Sequence, residues 1–157
     1  MLKKYKSYII SVIIALAVGG LSALATRSNM DVFDEITKPP LTPPSAAFGI
    51  VWTILFTLMG ISSAGVYEAL KNDKSALRVP LSLYAANLAV NFLWSIIFFN
   101  LRAFLFAFIW LLLLLAVVLA MIIEFRKIRP WTAYAQIPYF IWGLFALYLN
   151  IAIYVLN

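Results

Sequence analysis

All 18 charged residues of this 157-residue chain (12 basic plus 6 acidic) fall outside five long uncharged runs, Ser7–Thr26, Pro39–Tyr67, Val79–Leu101, Ala103–Ile123 and Pro130–Asn157. The shortest, Ser7–Thr26, is 20 residues long. About 20 residues of helix, at roughly 1.5 Å of rise each, cross the ~30 Å hydrocarbon core of a bilayer. Inside lipid an unpaired backbone N–H or C=O costs several kcal/mol, and the runs show no period-2 alternation, so they read as helices and not as barrel strands. The sequence therefore predicts an all-α integral membrane protein, a five-transmembrane-helix bundle that occupies residues 1–157 as a single membrane domain. Its spans lie near 7–26, 44–67, 79–100, 103–123 and 131–153, with one sizeable loop at 27–43.

Composition agrees, with 65% hydrophobic and 11% charged residues against about 25% charged in ordinary soluble domains. The net charge of +6 has the sign that attracts nucleic acid, but its placement along the chain argues for a topology signal. Lys3, Lys4 and Lys6 precede the first run, Lys71, Lys74 and Arg78 follow the second, and Arg126, Lys127 and Arg129 follow the fourth. These segments share one side of a five-span bundle, and the other side holds Arg27, Lys38 and Arg102. The positive-inside rule then puts the amino terminus in the cytoplasm and the carboxyl terminus outside. No nucleic-acid partner is expected, only the lipid bilayer and a modest attraction to anionic lipid. The basic start and Ala23-Leu24-Ala25 mimic a secretory signal, but the first run exceeds a signal's ~7–15-residue apolar stretch and more spans follow, so it is read as a retained helix. Its Gly19, Gly20, Ser22, Ala23 and Ala25 suit close helix packing.

With no Cys and no His, disulfides, thiolate chemistry, zinc sites and His-ligated haem are excluded, and no metal or resident cofactor is expected. No Asp, Glu, Lys or Arg lies within a span; Glu68 and Glu124 sit at the cytoplasmic edges. That counts against a proton-coupled transporter, which normally needs an intramembrane ionisable group. No Ser/His/Asp set, carboxylate pair or phosphate-binding glycine loop is present, so hydrolytic and phosphoryl-transfer chemistry have no machinery.

The loop at 27–43 carries Pro39, Pro40, Pro43 and Pro44 at its end. Prolines this dense stiffen a chain toward polyproline geometry, so the loop reads as a semi-rigid lid, with Thr42 capping the second helix and Pro43 at its first helical position. The connection Asn100–Ala103 is short enough to make the third and fourth helices antiparallel neighbours. On the third helix Asn87, Asn91 and Ser95 recur on one face, with Trp94 beside them. Amides here either tie helices together or line a cavity. On the fifth helix Tyr139, Trp142, Gly143, Ala146 and Asn150 share a face, and Pro138 should kink the helix and open room beside Gly143. On the second, Phe48, Trp52, Phe56, Met59 and Gly60 form an aromatic stripe starting under the lid, a pattern that serves as core more often than as a ligand site. The fourth helix has no polar residue beyond Trp110 from Phe104 to Ile123 and is expected to face lipid or a second subunit.

Lys38-Pro39 with Pro43-Pro44, then Phe48 and Trp52; Tyr84, Asn87-Leu88, Asn91 and Trp94-Ser95 with Phe98-Phe99; and Pro138-Tyr139, Trp142, Phe145-Ala146 and Leu149-Asn150 together resemble the tryptophan-rich sensory protein family, whose mitochondrial members are the translocator protein or peripheral benzodiazepine receptor. The resemblance covers nearly the whole chain in order. It implies a five-helix bundle, commonly a homodimer, with an intrabundle pocket closed by the first loop. It also implies a receptor- or carrier-like protein of a bacterial cell membrane that binds porphyrins such as protoporphyrin IX and drug-like aromatic ligands, linked to tetrapyrrole regulation or stress. Carried over by position, the ligand-binding residues are Pro39, Pro43, Phe48, Trp52, Asn87, Asn91, Trp94, Tyr139, Trp142 and Ala146. Some bacterial relatives degrade protoporphyrin in light, and the tryptophans implicated correspond to Trp52 and Trp142.

The residues themselves fit a flat, mostly apolar aromatic ligand, with Trp52, Trp94, Tyr139 and Trp142 as stacking faces, two amides for polar edges, and Arg27 or Lys38 within reach of any propionates. Without His or Cys, a metal-free porphyrin suits the chain better than haem. The sequence departs from the family at Val32-Phe33, where relatives carry Trp-Tyr, and so loses a lid aromatic. No basic residue follows Tyr148 or Tyr154, so the cholesterol-recognition pattern of mammalian members is missing. Three readings follow: a porphyrin-binding receptor or carrier, a light-dependent porphyrin-degrading enzyme, and a structural or regulatory membrane partner in which Asn87 and Asn91 serve assembly.

Overall fold

The first four charge-free runs become helices that continue past one end of the run into the flanking charged residues. A computed structural model of the chain describes residues 2–157 and all their side chains except those of Leu2 and Lys4. It contains α1 (Leu2–Thr26), α2 (Ser45–Leu70), α3 (Lys74–Ser95), α4 (Phe104–Ile128) and α5 (Ile137–Leu156), and no strand occurs among the described residues. Five helical stretches are long and apolar enough to cross a membrane, and the chain is an integral membrane protein. The overrun is expected, because helical hydrogen bonding continues into the interfacial zone, where long basic side chains reach water along their own stems.

Helix ends follow local chemistry. Asp73 starts α3 by accepting hydrogen bonds from the backbone N–H groups of Ser75 and Ala76, both at 3.0 Å; this is the N-cap preference of a short acidic side chain. α3 leaves through a π-helical turn at Ile96–Asn100, and Arg102 with φ 50° reverses the chain into α4, so α3 and α4 pack side by side as expected.

Two expectations are corrected. Thr42 does not cap α2: its hydroxyl donates to the Pro39 carbonyl at 2.6 Å, and the helix begins at Ser45 with Pro44 as N-cap at φ −58°, ψ 147°. A residue before proline is pushed out of the α region, so Pro43, standing before Pro44, cannot begin a helix. Likewise Pro138 does not kink the fifth span internally. The span is broken beforehand into a short helix, Pro130–Tyr134, and α5, with Pro138 in the first turn of α5, where its missing N–H has no partner to lose. Nor does Gly143 open a space. A Cβ there would lie 2.6 Å from a Leu115 methyl, so the glycine lets α4 approach.

Packing is set by such close approaches. α1 runs along α2 and crosses it at Gly60, where a Cβ would lie 2.5 Å from the Cα of Val12 and 2.8 Å from its backbone nitrogen. At Gly20 the same construction meets nothing within 4 Å, so small residues on α1 are not uniformly packing residues. α4 sits against both α3 and α5. One face of it, including Leu111, Leu114, Val118, Met121 and Phe125, is buried, while Phe106, Ile109, Leu113 and Ile123 point outward. The fourth helix therefore does present a lipid-type face, but its other face is the spine on which the two neighbours rest.

Candidate functional site

The ends of α1, α2, α3 and α5 nearest the 27–43 loop spread apart around a cavity of about 590 Å³. Its lining is confined to that half of each helix: Leu16 to Thr26 of α1, Ser45 to Phe56 of α2, Asn91 onward from α3, and Trp142 to Ile153 of α5. α4 contributes nothing to it. The walls are aromatic. On α2 the i, i+4, i+8 stripe brings Phe48, Trp52 and Phe56 to the cavity, with Trp52 and Phe56 rings 5.8 Å apart. Across from them, Trp142 meets Phe48 edge-on at 5.9 Å, and Trp94 stacks on Phe98 at 5.3 Å. Trp94 is held by its indole N–H, which donates to Asn150 Oδ1 at 3.1 Å, while the Asn150 amide donates to the Phe104 carbonyl at 2.8 Å. The Trp142 indole N–H is buried without an acceptor among the described residues.

Below the cavity lies a closed polar floor. Asn91 Nδ2 donates to the Tyr139 hydroxyl at 2.8 Å, that hydroxyl donates to Asn87 Oδ1 at 2.7 Å, and Asn87 Nδ2 contacts the Met59 sulfur at 3.2 Å. Asn87 and Met59 are fully buried, and Tyr139 and Asn91 nearly so. The three polar groups satisfy one another, which is the condition under which buried amides are tolerated. Asn87 thus ties α3 to both α2 and α5, while Asn91 ties α3 to α5 and also reaches the cavity.

Above the cavity the loop folds over as a lid. Val32 in its short helical turn, Val32–Glu35, is fully buried, and Phe33 packs edge-on against Phe48 at 5.2 Å. Far ends of the chain hold the lid in place. Asn157 accepts from Thr37 N–H at 2.9 Å and donates back to its carbonyl at 3.1 Å, Tyr148 donates to the Pro40 carbonyl at 2.9 Å, and Arg102 pairs with Glu35 at 3.0 Å. The proline segment is no continuous polyproline rod, since Leu41 at φ 68° turns it; a left-handed L-residue costs roughly 1–2 kcal/mol and persists because both flanks are anchored.

Of the residues singled out in the sequence, Phe48, Trp52, Asn91, Trp94, Trp142 and Ala146 line the cavity, whereas Asn87 and Tyr139 form its floor and Pro39 and Pro43 lie in the lid off the lining. Residues that sequence reasoning passed over also line it: Phe33, Phe98 and Phe99, the α1 glycines, and Asp31 and Asp34. Phe33 is the aromatic that the Val32-Phe33 pair keeps in the lid. Arg27 and Lys38, the expected partners for carboxylates, are not on the lining. Lys38 lies 5.0 Å over the Phe33 ring and 3.7 Å from Asp34.

The sequence has known counterparts. Residues 11–156 match the model of the TspO/MBR family. The tryptophan-rich protein TspO of Archaeoglobus fulgidus is 34% identical over 150 residues, covering 94% of each chain. The translocator protein of Ovis aries is 34% identical over 118 residues, 75% of this chain and 70% of its own length, and protein CrtK of Rhodobacter capsulatus is 34% identical over 126 residues, 80% and 78% respectively. A match spanning almost every residue from α1 to the end of α5, with five membrane helices in the order read from the sequence, leaves no ambiguity of kinship: the chain belongs to the TspO/MBR family.

Proposed function

We propose that this protein is a membrane receptor or carrier that takes flat, largely apolar aromatic molecules, porphyrins foremost, into the lidded cavity. The observation that carries this reading is the combination of volume and wall. About 590 Å³ is within the ~300–1,000 Å³ of small-molecule sites, and Trp52, Trp94, Trp142 and Phe48 supply π-faces for a planar ring, each aromatic contact contributing roughly 0.5–1.5 kcal/mol beyond its buried area. The protein sits in a bacterial cell membrane with its amino terminus cytoplasmic and the lid outside. It assembles as a homodimer, which crosslinking in native membranes tests.

The test is protoporphyrin IX or its dimethyl ester added to purified protein in non-ionic detergent. Saturable quenching of tryptophan fluorescence in the dark is the expected result, with Trp52→Phe and Trp142→Phe each binding only about threefold more weakly, because phenylalanine keeps a smaller ring face. Trp142→Phe is an informative variant because its indole N–H has no acceptor among the described residues, so the substitution removes no hydrogen bond seen there. Absence of saturable quenching in the wild type refutes the reading.

A second reading, light-dependent oxidative degradation of the bound porphyrin by dioxygen, is favoured by one observation: Trp52 and Trp142 line the same cavity. Under illumination in air it predicts loss of the porphyrin bands that is abolished in both phenylalanine variants while dark binding is retained; stable bands leave a binding protein.

A further inference from the structure

Beneath the polar floor, on the side away from the lid, further polar side chains are buried. α3 and α5 both run toward the lid, and the hydrogen bond from Tyr139 to Asn87 fixes their register. On a helix the residue three positions back lies on the same face, one turn lower. One turn below Asn87 is Tyr84, and one turn below Tyr139 is Gln136. α2 runs the other way, so one turn below Met59, which contacts Asn87 through its sulfur, comes Ser63. Tyr84, Gln136 and Ser63 therefore share one level under the floor, and all three are buried. Yet Tyr84 Oη, Gln136 Nε2 and Gln136 Oε1 have no hydrogen-bond partner among the described residues, although Ser11 of α1 and Ser63 present hydroxyls to Tyr84. A hydroxyl or amide left unmatched inside a bundle is costly, and native proteins rarely carry one without a bound partner.

The backbone points the same way by an independent route. The fifth span is interrupted between Pro130–Tyr134 and α5, with Gln136 at the junction, and Pro138 has no N–H to offer the Tyr134 carbonyl. Irregular backbone within a span is tolerated where it is enclosed by protein or lines a space that holds water.

We propose that Tyr84, Gln136 and Ser63 form a buried water-binding site beneath the floor, filled through the break in the fifth span from the end of the bundle away from the lid. The wall chemistry selects the occupant. Two hydroxyls and one amide are neutral and offer donors and acceptors together. An ion would find no opposite charge, since all three residues lie inside charge-free runs, and a buried ion needs a partner. Water needs about two to four polar partners and finds them here. None of the three residues lines the lidded cavity, so this site is independent of what that cavity takes.

X-ray radiolytic footprinting of the purified protein in detergent tests this, because hydroxyl radicals formed from a bound water modify the side chains it touches even where bulk water has no access. Tyr139 is the reference, being buried with its hydroxyl engaged by Asn87 and Asn91. Tyr84 should be modified several-fold faster than Tyr139. In heavy-oxygen water its label should arrive with a delay that the exposed Tyr5 and Tyr154 do not show. Gln136→Met keeps the side-chain length and removes the amide. With water in place it strips partners from that water, so Tyr84 labelling should fall toward the Tyr139 level and the melting temperature should drop by a few degrees. In a dry site the same change deletes two unmatched atoms and should raise the melting temperature. Tyr84 modified no faster than Tyr139, heavy oxygen reaching it as fast as Tyr5, or a Gln136→Met variant that melts above wild type overturns the inference. Should the variant fail to fold, the wild-type ratio of Tyr84 to Tyr139 labelling decides alone.

Discussion

Gly60→Val should prevent the bundle from assembling. Already at Gly60 the first side-chain atom would lie 2.5 Å from the Cα of Val12 and 2.8 Å from its nitrogen. These are backbone atoms, so no rotamer change can make room, and α1 must move away from α2. Overpacking a well-filled contact costs about 1–3 kcal/mol. Gly60→Ala should fall in that range, and valine, with two further methyl groups against the same backbone, above it. Since stability margins are only about 5–15 kcal/mol, the valine variant should elute as aggregate from size-exclusion chromatography, and the alanine variant should melt several degrees below wild type by circular dichroism. Gly20→Ala is the control: nothing lies within 4 Å of its Cβ, so its melting temperature should match or slightly exceed wild type through the better helix propensity of alanine. A valine variant as monodisperse and stable as wild type would mean that α1 and α2 do not cross there.

The second large effect is expected at Tyr139→Phe. Removing one oxygen takes the acceptor from Asn91 and the donor from Asn87, leaving two nearly inaccessible polar groups unpaired. Each orphaned buried group costs about 1–3 kcal/mol. Hydrogen bonds between membrane helices average only about 0.6 kcal/mol because the unfolded chain in lipid also finds partners. The first figure governs at Asn87, which is fully buried off the cavity, whereas Asn91 lines the cavity and can find a substitute partner there, so a loss of about 1–2 kcal/mol is expected in detergent unfolding. Replacing the set with apolar residues, Tyr139→Phe with Asn87→Leu and Asn91→Leu, should recover much of that loss, because no polar group is then left unmatched. If the single variant unfolds like wild type, the floor is not held by this hydroxyl. The same variants separate roles: Asn87 should act on stability with little effect on ligand affinity, whereas Trp52 and Trp142 should act on affinity with little effect on stability.

These two sites also mark where the sequence was readable. Five helices follow from five charge-free runs, because lipid forbids the alternatives. The face shared by Asn87 and Asn91, and that shared by Phe48, Trp52 and Phe56, follow from helical periodicity and need no knowledge of neighbours. What periodicity cannot supply is the partner. The small residues of α1 announced a close approach, but Gly60 on the other helix is where the backbones touch, and Gly20 is open. Two boundary expectations failed at prolines: Pro44 pushes Pro43 out of the helical region, which moved the start of α2 past it, and Pro138 falls in the first turn of α5, where its missing N–H has no partner to lose. The lid was hardest to read. Phe33, Asp31 and Asp34 reach the cavity because the loop is tied down by Arg102, Tyr148 and Asn157, contacts that link positions up to 120 residues apart and leave no local trace in composition or spacing.

The floor formed by Asn91, Tyr139, Asn87 and Met59 has a consequence for traffic. The cavity ends there, drawing on one half of each helix that lines it, so the protein is shaped as a covered cup and not as a conduit. A ligand of the proposed kind is then expected to load and unload through the lid face, with a dwell time that depends on the lid fastenings. In vesicles with the lid side outermost, a ligand added outside should equilibrate with the pocket at once, and one trapped within should reach it no faster than it crosses bare lipid.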